Sequence, residues 1–294
     1  SDDDMGTYGI ASPSFFLPGP SANVSLRRIL NSRSPLPPIL SSGLITWDEA
    51  EQLFDIFFEK CAVFVSVLDS QIHTPRVVLE RDGFLFTVVY TIASRYFTSR
   101  PNLHSAALHF AKHFAATSLI NGIKSVEMAQ VYLLMASYGL PARRWEEDRS
   151  CFYGGLAGRI ATDLNLNMTP TSASSSTKST TKPLSERHER ERMNRTRTWL
   201  NCWNVDRSSA VQFGKPTGLE EDETVRGAKT WYRSGINRAS WAGNHDKQPQ
   251  EGETEGRGDR YDVHLVTFTE LLMVMTRFHE RVGAVGAKVR SLLF

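Results

Sequence analysis

The chain is poor in cysteine. Its 3 cysteines, Cys61, Cys151 and Cys202, are far apart and odd in number. That excludes a disulfide framework, and no two of them have the Cys-x-x-Cys spacing of a zinc site. A reducing, intracellular compartment is the expectation. An excess of either charge is also missing: Lys and Arg total 34, Asp and Glu 32, and the formal net charge is +2. Composition therefore makes no general case for nucleic acid or an anionic membrane. No apolar run reaches the ~18 residues of a membrane span, and no charged-then-apolar leader opens the chain. No serine or cysteine nucleophile has a local context such as Gly-x-Ser-x-Gly. The first residue is Ser1 and the last is Phe294, after Leu292 and Leu293. The expectation is a fragment or processed form, with a fold that is truncated or an end that docks.

What is present is apolar residues at helical spacing. The chain of 294 residues is 40% hydrophobic, enough for one large or two small cores. Its organising stretch runs over 125–167, SVEMAQVYLLMASYGLPARRWEEDRSCFYGGLAGRIATDLNLN. Ser125 is a good N-cap, with Glu127 in the first turn. Val126 to Tyr138 leaves almost no polar face, which predicts a buried helix stopped by Gly139 and Pro141. A second helix is predicted from near Glu146, with Glu146, Glu147 and Asp148 at its positive end and an apolar stripe of Phe152, Leu156, Ile160 and Leu164. Gly154, Gly155 and Gly158 lie inside it. Each costs roughly 1 kcal/mol against alanine, so close approach of another helix backbone is the expected reason.

The rest divides by composition. Residues 1–43 form a poorly ordered lead-in, with a short helix around Val24–Asn31 and with Pro35, Pro37 and Pro38 forbidding helix after it. Residues 44–168 are a first helical half. Thr46 and Glu49 make a capping box there, and Val63–Leu68 is an extended connector. The apolar run Phe84–Phe97 is helical by length although its β-branched content suits a strand. Leu103 to about Asn121 is a helix ended by Gly122. Residues 169–184 are a Ser/Thr-rich linker with no means of offsetting ordering entropy. Residues 185–226 hold a helix to about Phe213, charged in its first half and aromatic in its second. Residues 227–260 are a mobile polar loop with Trp231, Tyr232 and Trp241 as candidate anchors. Residues 261–294 hold a final helix, apolar at Leu265, Phe268, Leu272, Met275 and Val282.

Few constellations suggest chemistry. His109 and His113 stand four apart on one helix, with His104 a turn earlier. Phe110 occupies the place of the glutamate that a zinc protease would use as its base, and no further ligand is near, so a metal site is disfavoured. Gly154-Gly155-x-x-Gly158 lacks the strand that precedes a phosphate loop. Asp163 and Asp206 are isolated acids expected to pair with arginines, as Arg159 can with Asp163 at i,i+4; Arg149 and Arg207 are similar partners. Arg187, Arg190, Arg192, Arg195 and Arg197 form the richest basic run, and a DNA contact is conceivable. The glutamates at 186, 189 and 191 favour a solvated face instead. These residues alone give an all-α interaction domain, with no residue assigned to catalysis, a cofactor or a metal. An all-α metal-dependent enzyme resting on the three histidines, and a protein-interaction scaffold using the basic helix, are the competing readings.

Two segments carry a resemblance. The stretch over 125–167, and RMNRTRTWLNCWNVDRSSAVQFGKP, are similar to the best-marked parts of the fungal-specific transcription factor domain, the regulatory middle region of fungal zinc-cluster activators. The match lies in the Ser-Val-Glu helix start and in Asp148-Arg149-Ser150 followed by Ala-Gly-Arg-Ile-Ala-x-Asp-Leu-x-Leu. Arg197-Thr-Trp-Leu completes it, with Asp206-Arg207 and a Gly-Lys-Pro ending. It covers roughly 44–225. The resemblance implies a nuclear protein controlling RNA polymerase II transcription, without catalytic residues. It implies DNA contacts through an N-terminal six-cysteine cluster holding two zinc ions, followed by a dimerising coiled coil. This chain lacks those cysteines, so zinc, DNA binding and a homodimer would belong to an N-terminal module outside it. Transcription machinery, regulatory proteins and a small-molecule effector are the other implied partners, and the buried hairpin is the expected wall of an effector pocket.

Overall fold

The structure is a computed structural model that describes residues 37–168, 186–232 and 257–293. The helix expected at Val24–Asn31, the Ser/Thr-rich linker and Trp241 lie outside the described residues. The chain is all-α, and no strand occurs among the described residues.

A turn of helix, α1 (Pro38–Ser41), opens the described chain and buries Ile39. The expected ban on helix after Pro35 fails here, because Pro38 sits at the first helical turn, where its missing N–H needs no partner. In α2 (Trp47–Ile56) the capping box is complete: Thr46 Oγ1 accepts from the Glu49 amide at 3.3 Å, and Glu49 Oε2 accepts from the Thr46 amide at 2.9 Å. A π-turn over Phe57–Cys61 ends it. An irregular connector then buries Val67 and Leu68 and leaves Phe64 78% exposed. Pro75 starts α3 (Pro75–Arg81), and Asp82 caps α4 (Gly83–Ala93) by accepting two amides at 2.8 Å. Every residue of α4 after Gly83 is buried. Its threonine hydroxyls are satisfied within the helix, as Thr87 donates to Gly83 O at 2.8 Å and Thr91 to Thr87 O at 2.7 Å. The long amphipathic α5 (Leu103–Asn121) ends on Gly122 at φ 62°. That left-handed position favours glycine.

The hairpin consists of α6 (Val126–Ser137) and α7 (Ser150–Asp163). Ser125 caps α6 through the Met128 amide at 3.1 Å. The second helix starts later than its acids suggest. Glu146 and Glu147 belong to a separate 3-10 turn, Trp145–Glu147, and Asp148 takes the Ser150 amide at 2.9 Å as α7 begins. Its buried face is also rotated from the expected stripe. Phe152 is 56% exposed, while Gly154, Ala157, Gly158, Ile160 and Ala161 turn inward. Small residues let that face lie close to its neighbours.

The long α8 (Glu186–Phe213) packs on both α6 and α7. Two short helices follow, α9 (Glu223–Arg226) and α10 (Ala228–Tyr232), and α10 buries Trp231. Residues 228–232 are therefore helical rather than loop. The last helix, α11 (Arg257–Leu293), packs along α8 and α10. It buries Leu265, Val266, Leu272 and Met273, whereas Phe268 and Val282, expected inside, are 43% and 53% exposed. Helix α6 is the shared middle: α4 lies on one side with α2, α3 and α5 behind it, and α8 lies on the other with α11 behind.

Candidate functional site

Buried charge fixes the helices that line the site. Arg197 of α8 is 2% exposed and Asp262 of α11 is 0% exposed. Arg197 donates from Nε and Nη2 to the two carboxylate oxygens of Asp262 at 2.7 Å each. Ser66 Oγ donates to Asp262 at 3.5 Å, and Asn201 Nδ2 donates to Ser66 O at 3.0 Å. Asp69 lies 3.8 Å from Arg197 and 3.4 Å from Arg190. Arg81 bonds Glu191 at 3.2 Å through one nitrogen and lies 3.8 Å from the buried Glu127. Gln130 of α6 donates to Asn194 Oδ1 at 2.9 Å and to Thr198 Oγ1 at 3.1 Å. This satisfies polar groups that would be costly in the core. His73 is fully buried, with Nδ1 2.9 Å from Asp69 O; burial and the Arg81 charge hold its pKa below the usual value.

The arginine run on α8 is therefore only partly a solvated face. Arg187 and Arg195 are exposed, but Arg190 and Arg197 are drawn inward. Arg190 keeps an i,i+4 pair with Glu186 at 3.1 Å, but the buried acids Asp69 and Asp262 lie 121 and 65 residues away in sequence, beyond any such pattern.

Beside this network, the loop end of the α6–α7 hairpin frames a cleft of about 550 Å³. Its apolar walls include Val88 and Ile92 of α4, Leu134 of α6, Tyr153 of α7 and Val205 of α8. Arg95, Lys112 and Arg149 also line it. Arg95 donates to Tyr138 O at 2.6 Å, and Arg149 to Glu147 O at 3.2 Å. Glu147 and Asp148 line it too, so the walls combine apolar surface with groups of both charges, equipment that suits a small-molecule site. The thiols nearest the core are unreactive, since burial pushes Cys61 up to about 11 and Cys202 higher still.

The three histidines of α5 do not converge. His104 Nδ1 lies 3.0 Å from Thr91 O and 3.2 Å from Ser94 Oγ, and burial lowers its pKa. His109 and His113 are exposed. No three or more His, Cys, Asp or Glu side chains gather to hold a metal among the described residues.

The glycines of α7 serve side chains rather than a helix backbone. A Cβ on Gly154 would stand 2.9 Å from Val205 Cγ1, and one on Gly158 would stand 3.3 Å from Leu219 Cδ1. Gly155 faces open space. Asp163 pairs with Arg159 at 3.0 Å as its spacing predicts, and with Lys124. Asp206 pairs with no arginine among the described residues. It accepts the amides of Gly218 and Leu219 at 3.0 Å, because the chain doubles back after Pro216 and presents both N–H groups. Arg207 donates to Leu219 O at 2.7 Å and lies 5.1 Å above the Trp203 ring. Asp206 and Arg207 thus grip the returning loop and hold Leu219 against Gly158. The two motif-bearing segments meet in one packing unit.

The profile of the fungal specific transcription factor domain matches residues 45–225, more than half of the chain. The chain belongs to this family. Protein priB of Lentinula edodes is similar to it, at 26% identity over 224 residues that cover 74% of this chain and 35% of priB. The chain thus spans about a third of that relative's length. No solved structure matches. In this fungal specific transcription factor domain, the matched stretch holds the whole cleft and every member of the charge network except Asp262. The network is what the sequence alone does not reveal. Its one outward sign is polar residues inside apolar stretches: Glu127 and Gln130 in α6 and Asn201 in α8.

Proposed function

We propose that this domain is the effector-responsive regulatory region of a nuclear fungal zinc-cluster transcription factor that controls RNA polymerase II transcription. DNA is contacted by a zinc cluster in another part of the full-length protein, and this chain carries no catalytic step. The observation that supports the reading is the cleft at the loop end of the hairpin, inside the family-matched stretch and walled by α4, α5, α6, α7 and α8. A molecule seated there touches five helices at once. It favours whichever arrangement of them it binds more tightly, and the difference in affinity sets how far the regulator shifts. Transcription machinery or regulatory proteins then read that shift.

The test joins the 294-residue chain to a heterologous DNA-binding domain and measures a reporter in yeast. The fusion is expected to change reporter output relative to the DNA-binding domain alone. A metabolite and xenobiotic panel should contain compounds that raise the melting temperature of the purified domain, and Ser209→Trp, from a half-buried position on the cleft wall, should abolish that shift. Reporter output identical to that of the DNA-binding domain alone would defeat the proposal.

A further inference from the structure

Helix α11 carries two apolar faces, and the domain covers one of them. Leu265, Val266, Leu272 and Met273 are buried against the body of the fold, with Asp262 and Thr269 on the same side. Phe268, Leu271, Val274, Phe278 and Val282 stand outside it, at 43%, 52%, 61%, 62% and 53% exposure. With about 3.6 residues per turn, the two sets lie on nearly opposite sides of the helix.

The outer face is ordered by spacing. Phe268, Leu271, Met275, Phe278 and Val282 follow one another at alternating steps of three and four, and Met275 is half-buried. These are the a and d positions of a coiled-coil seam. The same steps continue in the sequence at Val285, Val289 and Leu292, all within α11. His264, exposed, stands one step ahead of Phe268 and gives the seam a polar end. No other helix exposes such a seam among the described residues.

The area is that of half an interface. Phe268 and Phe278 together leave about one whole phenylalanine uncovered, roughly 200 Å². Phe64, 78% exposed, lines the same groove as Phe268 and Leu271, and with Leu271, Val274 and Val282 it brings the open apolar surface to roughly 600 Å². A specific interface takes about 800 Å² from each partner, so the described side chains supply most of one side. The alternating steps call for a helix of the same spacing as occupant, because each knob enters a hole made by four residues of the facing helix. Helix α11 of a second copy is such a helix. In a parallel pair, Val274 and Arg281 come beside His279 and Gly286 of the other copy, so no like charges meet along the seam.

We propose that two copies of this chain pair through α11 in a parallel, two-fold coiled-coil contact, with Phe64 at its edge. Each seam residue meets its own counterpart, so the assembly closes at two. The seam faces away from the domain's own core, and pairing leaves the buried stripe of α11 in place. The contact is separate from the N-terminal coiled coil that the resemblance implies, and it needs no molecule in the cleft.

Sedimentation of the purified chain over about 1–100 µM tests the pairing. The native chain is expected to pass from monomer to dimer and no further. Leu271→Glu and Phe278→Glu each place a charge in the seam at a position already more than half exposed, so both variants should keep the native far-UV circular dichroism. Each should raise the dissociation constant by about tenfold or more, since the charge loses its water in the paired state. Ile120→Glu adds the same charge at an 84% exposed apolar position on α5, off the seam, and should leave the dimer intact. A native chain that stays monomeric throughout would leave the face to a different protein and overturn the proposal. So would association that runs on beyond the dimer, seam variants that dimerise as the native chain does, or an Ile120→Glu effect as large as theirs. A monomeric result would leave the melting-temperature and reporter tests of the cleft untouched.

Discussion

Replacing Asp262 by Leu is expected to cost this domain more than any surface change. The substitution removes two 2.7 Å charge-assisted bonds from an arginine that is 2% exposed. Breaking one side of a buried ion pair typically costs about 3–5 kcal/mol, because the other charge stays behind without compensation. Asp69 remains 3.8 Å from Arg197 and offsets part of that loss, which places the cost near the lower end, about 3 kcal/mol. For a domain of this size that corresponds to a fall of roughly 6–12 °C in melting temperature. Urea unfolding followed by far-UV circular dichroism measures the free energy directly. The decisive comparison is a cycle with Arg197→Met. If the pair is the origin of the cost, the double variant regains about 2 kcal/mol or more relative to the sum of the two single losses. A cost for Asp262→Leu below about 1 kcal/mol, or strict additivity in the cycle, would refute the reasoning.

The α7 glycines should separate cleanly. Gly154→Ala drives a methyl to 2.9 Å from Val205 Cγ1 and should destabilise by about 1–3 kcal/mol, whereas Gly155→Ala enters open space and should stabilise by roughly 0.5–1 kcal/mol. Thermal melts of the two variants check the pair, and equal effects would contradict the packing described. His73 gives a pH signature. Its folded pKa lies below the ordinary 6.5, so the unfolded chain takes up the proton first. Its share of stability is complete above that value and falls as pH drops below it, by at most about 1.4 kcal/mol per pH unit. The stability of His73→Gln measured between about pH 7.5 and pH 5, roughly a unit or more on either side of that value, should vary less with pH than that of the native chain. His104 contributes in the same direction and leaves a residual slope.

Local signals carried most of the helices. The Thr46–Glu49 box, the Ser125 cap and Gly122 sit where the pattern places them, because each is a bond between residues a few positions apart. Length rightly outweighed β-branching in α4, since a helix buried on all sides needs no polar stripe. What stayed hidden depends on distance along the chain. Arg197 looks like one of five exposed arginines until Asp262 and Asp69 are brought to it. Gly154 and Gly158 advertise a close approach, but not that Val205 and Leu219 make it. Phe152 appears core-facing by spacing alone, and only the packing of α8 on the small-residue face turns it outward.

The way α11 is fastened has a mechanical consequence. Asp262 pins the helix near its start, and among the described residues burial ends at Met273; Val274, Phe278 and Val282 project beyond at 53–62% exposure. At 1.5 Å per residue, the stretch from Met273 to Val282 is roughly 14 Å long, and a bend of about 10° where burial ends would carry Val282 by roughly 2 Å. The ion pair and the packed face hold the helix as far as Met273, so movement is left to the stretch beyond it, which Arg277 tethers to Glu221 at 3.4 Å.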